Sequence, residues 1–322
     1  MTRQWVDDRL LPGYECLTLH LPQAQRAPGE PTDGEALVGT LIRRKQPERG
    51  GRRALLYLHG WNDYFFQTHL ADAVAGMGFD FHALELRRYG RGLADGQLPG
   101  FIADLTEYFQ ELDAAMEVLR ADYAEICLMG HSTGGLVAAL WADARPGSLS
   151  GLVLNSPWLD LQGSPLLRAV TAPVLQRLRT SYPTTVLPLP NNGLYARTID
   201  AALGGEWSMD PRLKGDNGFL VRVGWLAAVL AGHERITEGL RIDCPVLVLI
   251  SARSDFRRTW DDALNRADAV LDVEKIATKS VRLGPHLTLV RIADGLHDLA
   301  LSAPAVRARY FDEIARWVAA YV

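Results

Sequence analysis

Several features are scarce in this 322-residue sequence. It has only three cysteines, an odd number without metal-ligand spacing, which favours free thiols in a reducing compartment. No apolar run approaches the ~20 residues that a spanning helix needs, and the first residues lack the order of a signal peptide. The formal net charge of −4 supplies no overall positive field for nucleic acid. We therefore expect a soluble, cytoplasmic protein that binds no nucleic acid.

The overall composition, with 48% hydrophobic and 22% charged residues, is typical of a globular protein. One local basic cluster surrounds a Gly-Gly turn and consists of Arg43, Arg44, Lys45, Arg49, Arg52 and Arg53. Such a cluster is usually a solvated loop, and transient contact with a lipid surface or an anionic substrate is the alternative. No oligomeric state is predicted.

Apolar runs predict a largely parallel sheet. Cys16–Leu21 and Ala36–Ile42, split by a turn-rich segment, are typical of antiparallel edge strands. Near-continuous apolar runs are typical of strands buried on both faces. These runs are Ala54–Leu58, Phe79–Leu84, Ile126–Met129, Leu152–Leu154, Val246–Ile250 and Leu287–Ile292.

Helical periods alternate with these strands. Apolar residues spaced by three and four predict helices from Ile102 to Leu119 and from Val306 to Tyr321, and a shorter one covers Val273 to Leu283. Strands alternating with helices predict a doubly wound α/β core.

One long segment, residues 157–241, interrupts the alternation and divides the core into residues 1–156 and 242–322. It contains apolar helical stretches at Leu166–Leu178 and Phe219–Leu230. Long insertions at the sheet edge that carries active-site loops are usually lids, so we interpret this one as a helical cap. A structural excursion without substrate contact is the alternative.

The chemistry begins at Gly130-His131-Ser132-Thr133-Gly134-Gly135, between a predicted strand and a predicted helix. A strand, a Gly-x-Ser-x-Gly turn and a helix predict a nucleophile elbow that exposes the Ser132 hydroxyl above the sheet. Glycines permit the tight turn, and the helix N-terminus favours developing negative charge.

Serine needs a base, and the base needs an acid to orient it. His297 follows the last core strand, where the base of such a hydrolase is expected. Two acids remain candidates: Asp268 leaves a compact interval before His297, whereas Asp255 directly follows the strand that ends near Ile250. Asp255 is equally explained as a helix N-cap. We favour Asp268.

An oxyanion hole would complete the site. The Thr133 backbone N–H is one predicted donor, and the second comes from the loop His59-Gly60-Trp61-Asn62-Asp63, where Trp61 is our choice. Trp61 as pocket wall alone is the alternative.

His59-Gly60, Arg91-Gly92, the Ser132 motif and Gly295-Leu296-His297-Asp298 together resemble the α/β-hydrolase superfamily, near monoacylglycerol lipase and lysophospholipase-like serine hydrolases. The resemblance implies the α/β-hydrolase fold, and a motif before the predicted helix at Val273 resembles the family's acid motif, which favours Asp268. The sequence departs from the family in a longer Ser251–Ala267 segment and in Asn62-Asp63, where Glu-His is common.

The predicted activity is hydrolysis of carboxylic acyl esters through an acyl-enzyme, without cofactor or metal. Monoacylglycerol and lysophospholipid are the candidate substrates. An aminopeptidase or acyltransferase on the same machinery remains open, as does a non-catalytic ligand-binding protein. A haloalkane dehalogenase is disfavoured because its nucleophile would be a carboxylate at the position of Ser132.

Overall fold

The computed structural model describes residues 4–45, 53–161, 175–188, 193–214 and 218–322. A nine-stranded sheet in the order β1-β2-β3-β5-β4-β6-β7-β8-β9 forms its centre. The strands are Val6–Asp7 (β1), Tyr14–His20 (β2), Val38–Arg44 (β3), Arg53–Leu58 (β4), Asp80–Glu85 (β5), Glu125–His131 (β6), Gly151–Asn155 (β7), Val246–Ser251 (β8) and Leu287–Ile292 (β9).

Strand direction divides the sheet in two. The pairings from β1 to β3, and of β3 with β5, are antiparallel, whereas those from β5 through β4 to β9 are parallel. The predicted antiparallel edge and six parallel core strands are therefore confirmed. All carboxyl ends of the parallel strands meet at one edge, where ligand sites of such sheets form.

Helices pack on both faces of the sheet and also form part of the long insertion. They are Thr68–Gly76 (α1), Phe109–Arg120 (α2), Thr133–Ala144 (α3), the helical residues 175–181 (α4), Leu194–Ile199 (α5), Val223–Glu238 (α6), Val273–Ser280 (α7) and Pro304–Tyr321 (α8).

Two helices of the core were predicted with wrong bounds. The helix predicted from Ile102 begins at Phe109, after a 3₁₀ turn over Leu105–Tyr108 that the Asp104 carboxylate caps. The helix predicted over Val273–Leu283 ends at Ser280. In both cases the apolar spacing continues past the helix, because turn residues beside a helix can bury side chains in the same core.

Side chains that alternate in direction along each strand form two core layers, one on each face of the sheet. In β4, Leu56 and Leu58 pack in the layer beneath α2 and α3, whereas Leu55 and Tyr57 pack in the layer beneath α1 and α8. Successive strand side chains point to opposite faces, so a strand covered on both sides is apolar throughout.

The long insertion lies between β7 and β8 and contains α4, α5 and α6. Most of the predicted helix Leu166–Leu178 falls outside the described residues, although 175–178 are helical. The helix predicted from Phe219 begins four residues later, at Val223. No helix within the described ranges combines the length and the apolar character that crossing a bilayer would require.

The basic cluster is largely neutralised where it is described. Arg43 pairs with Glu15, Arg44 with Asp72, Lys45 with Asp7 and Arg53 with Glu125. Arg49 and Arg52 lie outside the described residues. The described members therefore act as paired surface cations.

Candidate active site

The turn between β6 and α3 exposes one hydroxyl. Ser132 has φ 52° and ψ −119°, a strained backbone that its surroundings must hold in place. Its backbone N–H donates to the Asn155 carbonyl at 3.0 Å, and its side chain makes no capping hydrogen bond to the helix. A Cβ on Gly134 would overlap the His59 carbonyl oxygen. The glycine therefore allows α3 to begin directly against the end of β4.

Three predicted residues from distant parts of the chain meet at this turn. Ser132 Oγ lies 3.0 Å from His297 Nε2, and His297 Nδ1 lies 2.9 Å from Asp268 Oδ2. Because an ionised carboxylate only accepts, Nδ1–H donates to Asp268 and Nε2 accepts from the serine hydroxyl. The exposed fractions are 8% for Ser132, 3% for His297 and 0% for Asp268. This arrangement is suited to moving a proton from the hydroxyl to the imidazole.

Backbone hydrogen bonds fix the Asp268 carboxylate. Its Oδ1 accepts from the N–H groups of Val270 at 2.8 Å and Leu271 at 2.7 Å, which leaves Oδ2 for the imidazole. Asp268 itself pairs with Ser254 in a parallel β-bridge beyond the end of β8. Both carboxylate oxygens are thus satisfied in a fully buried position.

Asp255 lies next to this bridge, but its carboxylate points elsewhere. Its backbone N–H donates to the Asp268 carbonyl, while its side chain pairs with Arg257 at 2.7 Å. The hydrogen bond from Arg257 lowers the pKa of Asp255. The N-cap explanation of Asp255 was wrong, since the next helical residues form a 3₁₀ turn over Asp262–Arg266 that Asp261 caps. Asp272, by contrast, caps α7, where its side chain accepts from the N–H groups of Glu274 and Lys275.

The two residues predicted to supply oxyanion donors lie at the serine turn and on the loop that approaches it. Thr133 is the first residue of α3, so its N–H has no acceptor within the helix. A Cβ on Gly60 would lie 3.1 Å from Ser132 Cβ, which shows how closely the loop after β4 approaches the serine. Trp61 follows directly, and its indole packs against Trp225 of the insertion, with the ring centroids 3.7 Å apart and the ring planes tilted by 38°.

A family model described as "Serine aminopeptidase, S33" matches residues 50–256, which is 207 of the 322 residues. The chain belongs to this α/β-hydrolase family. The match runs from residue 50, before β4, through the serine turn and the whole insertion to residue 256, after β8.

Two curated relatives resemble parts of this S33 family member. "Phospholipase YtpA" of Bacillus subtilis is 41% identical over 64 residues, which are 20% of this chain and 25% of that protein. "Monoglyceride lipase" of Homo sapiens is 31% identical over 83 residues, 25% of this chain and 27% of that protein. The chain therefore matches about a quarter of the length of each relative.

Solved structures share the α/β-hydrolase fold over far more of the chain. A monoacylglycerol lipase of Paleococcus ferrophilus aligns with TM-score 0.63 and 21% identity, covering 83% of this chain and 94% of that one. A soluble variant of monoglyceride lipase from Saccharomyces cerevisiae gives TM-score 0.64 at 17% identity, with 89% and 94% covered. At such identities the likeness shows the fold.

Sequence reasoning missed the aromatic side chains that the insertion brings to this α/β-hydrolase site. The Tyr195 ring meets the His297 ring edge-on at 5.5 Å, and its hydroxyl accepts from the Asp298 N–H at 3.3 Å. Trp225 packs between Trp61 and Trp158. Nothing in a single sequence signals these contacts, because they join segments that are remote in the chain.

A buried group of charged side chains was also missed. Asp63, His131 and Asp298 each offer a ligand atom within 4.8 Å of the others, in the geometry of a possible metal site. However, the Lys214 ammonium of the insertion already donates to Asp63 Oδ1 at 2.7 Å. The only signal in the sequence was position, since Asp63, His131 and Asp298 each lie one or two residues from a predicted catalytic residue.

Proposed function

We propose that the protein is a serine carboxylester hydrolase that cleaves acyl esters through an acyl-enzyme. The observation that carries this proposal is the continuous chain of hydrogen bonds from Ser132 through His297 to Asp268. Ser132 Oγ attacks the ester carbonyl while His297 Nε2 takes its proton, and Asp268 stabilises the imidazolium that forms. The imidazolium then protonates the leaving alcohol, and a water activated by His297 releases the acid.

The tetrahedral intermediate needs donors for its oxyanion. In this proposal the backbone N–H groups of Thr133 and Trp61 supply them, each worth about 3 to 4 kcal/mol. Their positions beside the serine turn, at the start of α3 and after Gly60, support the assignment.

Residues 157–241 act as a cap over this site, and residues 1–156 and 242–322 form the catalytic core. Support comes from the aromatic side chains of the insertion, Tyr195 and Trp225, which contact His297 and Trp61. Monoacylglycerol and lysophospholipid are the substrate classes to test first, given the names of the curated relatives. We place the enzyme in the cytoplasm, which the free cysteines support.

A fluorophosphonate probe and a substrate panel test the proposal. We expect the probe to label the chain at Ser132, located by peptide mass spectrometry. We also expect p-nitrophenyl esters, monoacylglycerols or lysophospholipids to be turned over faster than aminoacyl p-nitroanilides. Faster anilide cleavage would instead establish an aminopeptidase, consistent with the name of the family. A folded chain with neither labelling nor turnover would be a non-catalytic binding protein.

A further inference from the structure

A buried polar group lies beside the catalytic residues and connects the loops that carry them. Asp63 comes two residues after Trp61, His131 directly precedes Ser132, and Asp298 directly follows His297. Asp63 and Asp298 are each 1% exposed, and His131 is 3% exposed. The three residues therefore join the oxyanion loop, the serine turn and the histidine loop inside the protein.

The three residues by themselves present mainly acceptors. His131 Nδ1–H donates to the Asn155 carbonyl at 3.2 Å. When the ring is neutral, its Nε2 therefore carries no proton and can only accept a hydrogen bond. Burial lowers the pKa of His131, which favours that neutral ring. Asp63 and Asp298 each keep one buried oxygen, Oδ2, without a hydrogen-bond partner among the described residues. Two buried carboxylates this close need a compensating cation.

Lys214 is that cation. Its side chain is only 9% exposed, and its ammonium donates to Asp63 Oδ1 at 2.7 Å and lies 5.4 Å from the centre of the Phe66 ring. Burial alone would raise the pKa of Asp298, yet the neighbouring His131 ring, the Lys214 ammonium and the hydrogen bond from Asn155 together hold it below its usual value. The Lys214 charge therefore acts on both carboxylates.

The segment that carries Lys214 is seated on the catalytic loops by other contacts. The Asp210 N–H donates to the Tyr64 hydroxyl at 2.9 Å, and the Trp207 indole N–H donates to the Leu301 carbonyl at 2.9 Å. Lys214 thus reaches Asp63 from a part of the insertion that is fixed against both the oxyanion loop and the histidine loop.

We propose that Lys214 is a positioning residue: its ammonium, supplied by the insertion, holds Asp63 and through it the Trp61 amide at the oxyanion hole. The proposal rests on the proposed function. Asn62, between Trp61 and Asp63, has a left-handed φ of 51°, so the loop turns sharply just before the carboxylate that Lys214 holds. Without Lys214, a buried Asp63 carboxylate would have to bind a proton or turn towards water, and the loop would move with it.

A double-mutant cycle on one p-nitrophenyl ester tests this role. Lys214→Met keeps the length of the side chain and removes its charge, and Asp63→Asn removes the opposite charge. We expect each to lower kcat roughly 10-fold to 100-fold, the cost of a misplaced catalytic group, with KM changed much less. The double variant should lose no more than the worse single variant, because both disrupt one contact.

Arg212→Met is the matched control, since Arg212 is an exposed cation of the same segment that pairs with Asp210. Its kcat should stay within about twofold of the natural chain, as expected for a surface ion pair. Lys214→Arg, which keeps the charge, should recover part of the lost kcat. Circular dichroism and thermal melting identify variants that do not fold, and the double variant, which removes both members of the Lys214–Asp63 ion pair, provides the comparison in that case.

An unchanged kcat in folded Lys214→Met, or losses that simply add in the double variant, would overturn the proposal. Loss of activity in EDTA that a divalent cation restores would also overturn it, because a metal would then be the cation between Asp63 and Asp298. Failure of the proposed function gives a different result, since the natural chain would then turn over no ester and take up no fluorophosphonate label.

Discussion

The core and the β7–β8 insertion contribute to one site in different ways. Core loops place their residues by backbone conformation: Ser132 by a strained turn, and Asp268 by two N–H groups that bind its carboxylate. The insertion contributes side chains that reach across from another part of the fold, among them Tyr195, Lys214 and Trp225. In the proposed mechanism the reacting groups therefore belong to the core, whereas the insertion shapes and holds their surroundings.

The largest expected effect is at the core nucleophile. Ser132→Ala should lower kcat for an ester substrate by about 10⁶-fold, because no other group can form the acyl-enzyme. Steady-state kinetics with p-nitrophenyl esters measures the loss, and thermal melting verifies the fold. Residual activity above a thousandth of the natural rate would place the nucleophile elsewhere.

Substituting each candidate acid in turn compares two carboxylates within the core. Asp268→Asn should lower kcat by about 10⁴-fold, since the amide cannot hold the required tautomer of His297. Asp255→Asn is the matched control and should leave kcat within about twofold, because this carboxylate pairs with Arg257 near the surface. The opposite ranking would show that the acid is Asp255.

Because α3 approaches β4 closely at Gly134, a larger residue there should lower the stability of the fold. Gly134→Ala should lower the free energy of unfolding by about 1 to 3 kcal/mol, because its Cβ would overlap the His59 carbonyl. Gly76→Ala, at an open helix position, should leave stability unchanged or raise it by up to about 1 kcal/mol. Urea denaturation followed by circular dichroism compares the two. Equal stability would argue against this packing.

The smallest effect is expected in the insertion. Tyr195→Phe removes the acceptor of the Asp298 N–H and should lower kcat/KM roughly threefold to tenfold, the cost of a buried donor left unpaired. Tyr182→Phe is its control, since Tyr182 is 62% exposed in the same insertion. A loss as large as that of Asp268→Asn would mean that the insertion takes part in the chemistry directly.

Much of the core could be predicted from the sequence because its determinants are local. A strand, a glycine-rich turn and a helix are encoded by neighbouring residues around Ser132. Strands buried on both faces can be recognised because nearly all of their residues are apolar. The bounds of α2 and α6 were less predictable, since apolar spacing continues through turns that pack against the same core. The contacts between the insertion and the core had no signal in the local sequence.

The amino-acid sequence alone determined the parallel sheet, the serine turn and the order along the chain of Ser132, an acid and His297, because local backbone preferences and hydrophobic periodicity follow from neighbouring residues. Only the tertiary structure decided that Asp268 and not Asp255 lies against His297, and that Lys214 lies against Asp63. These choices depend on which way a side chain points once remote segments have packed, and long-range packing is absent from any local pattern.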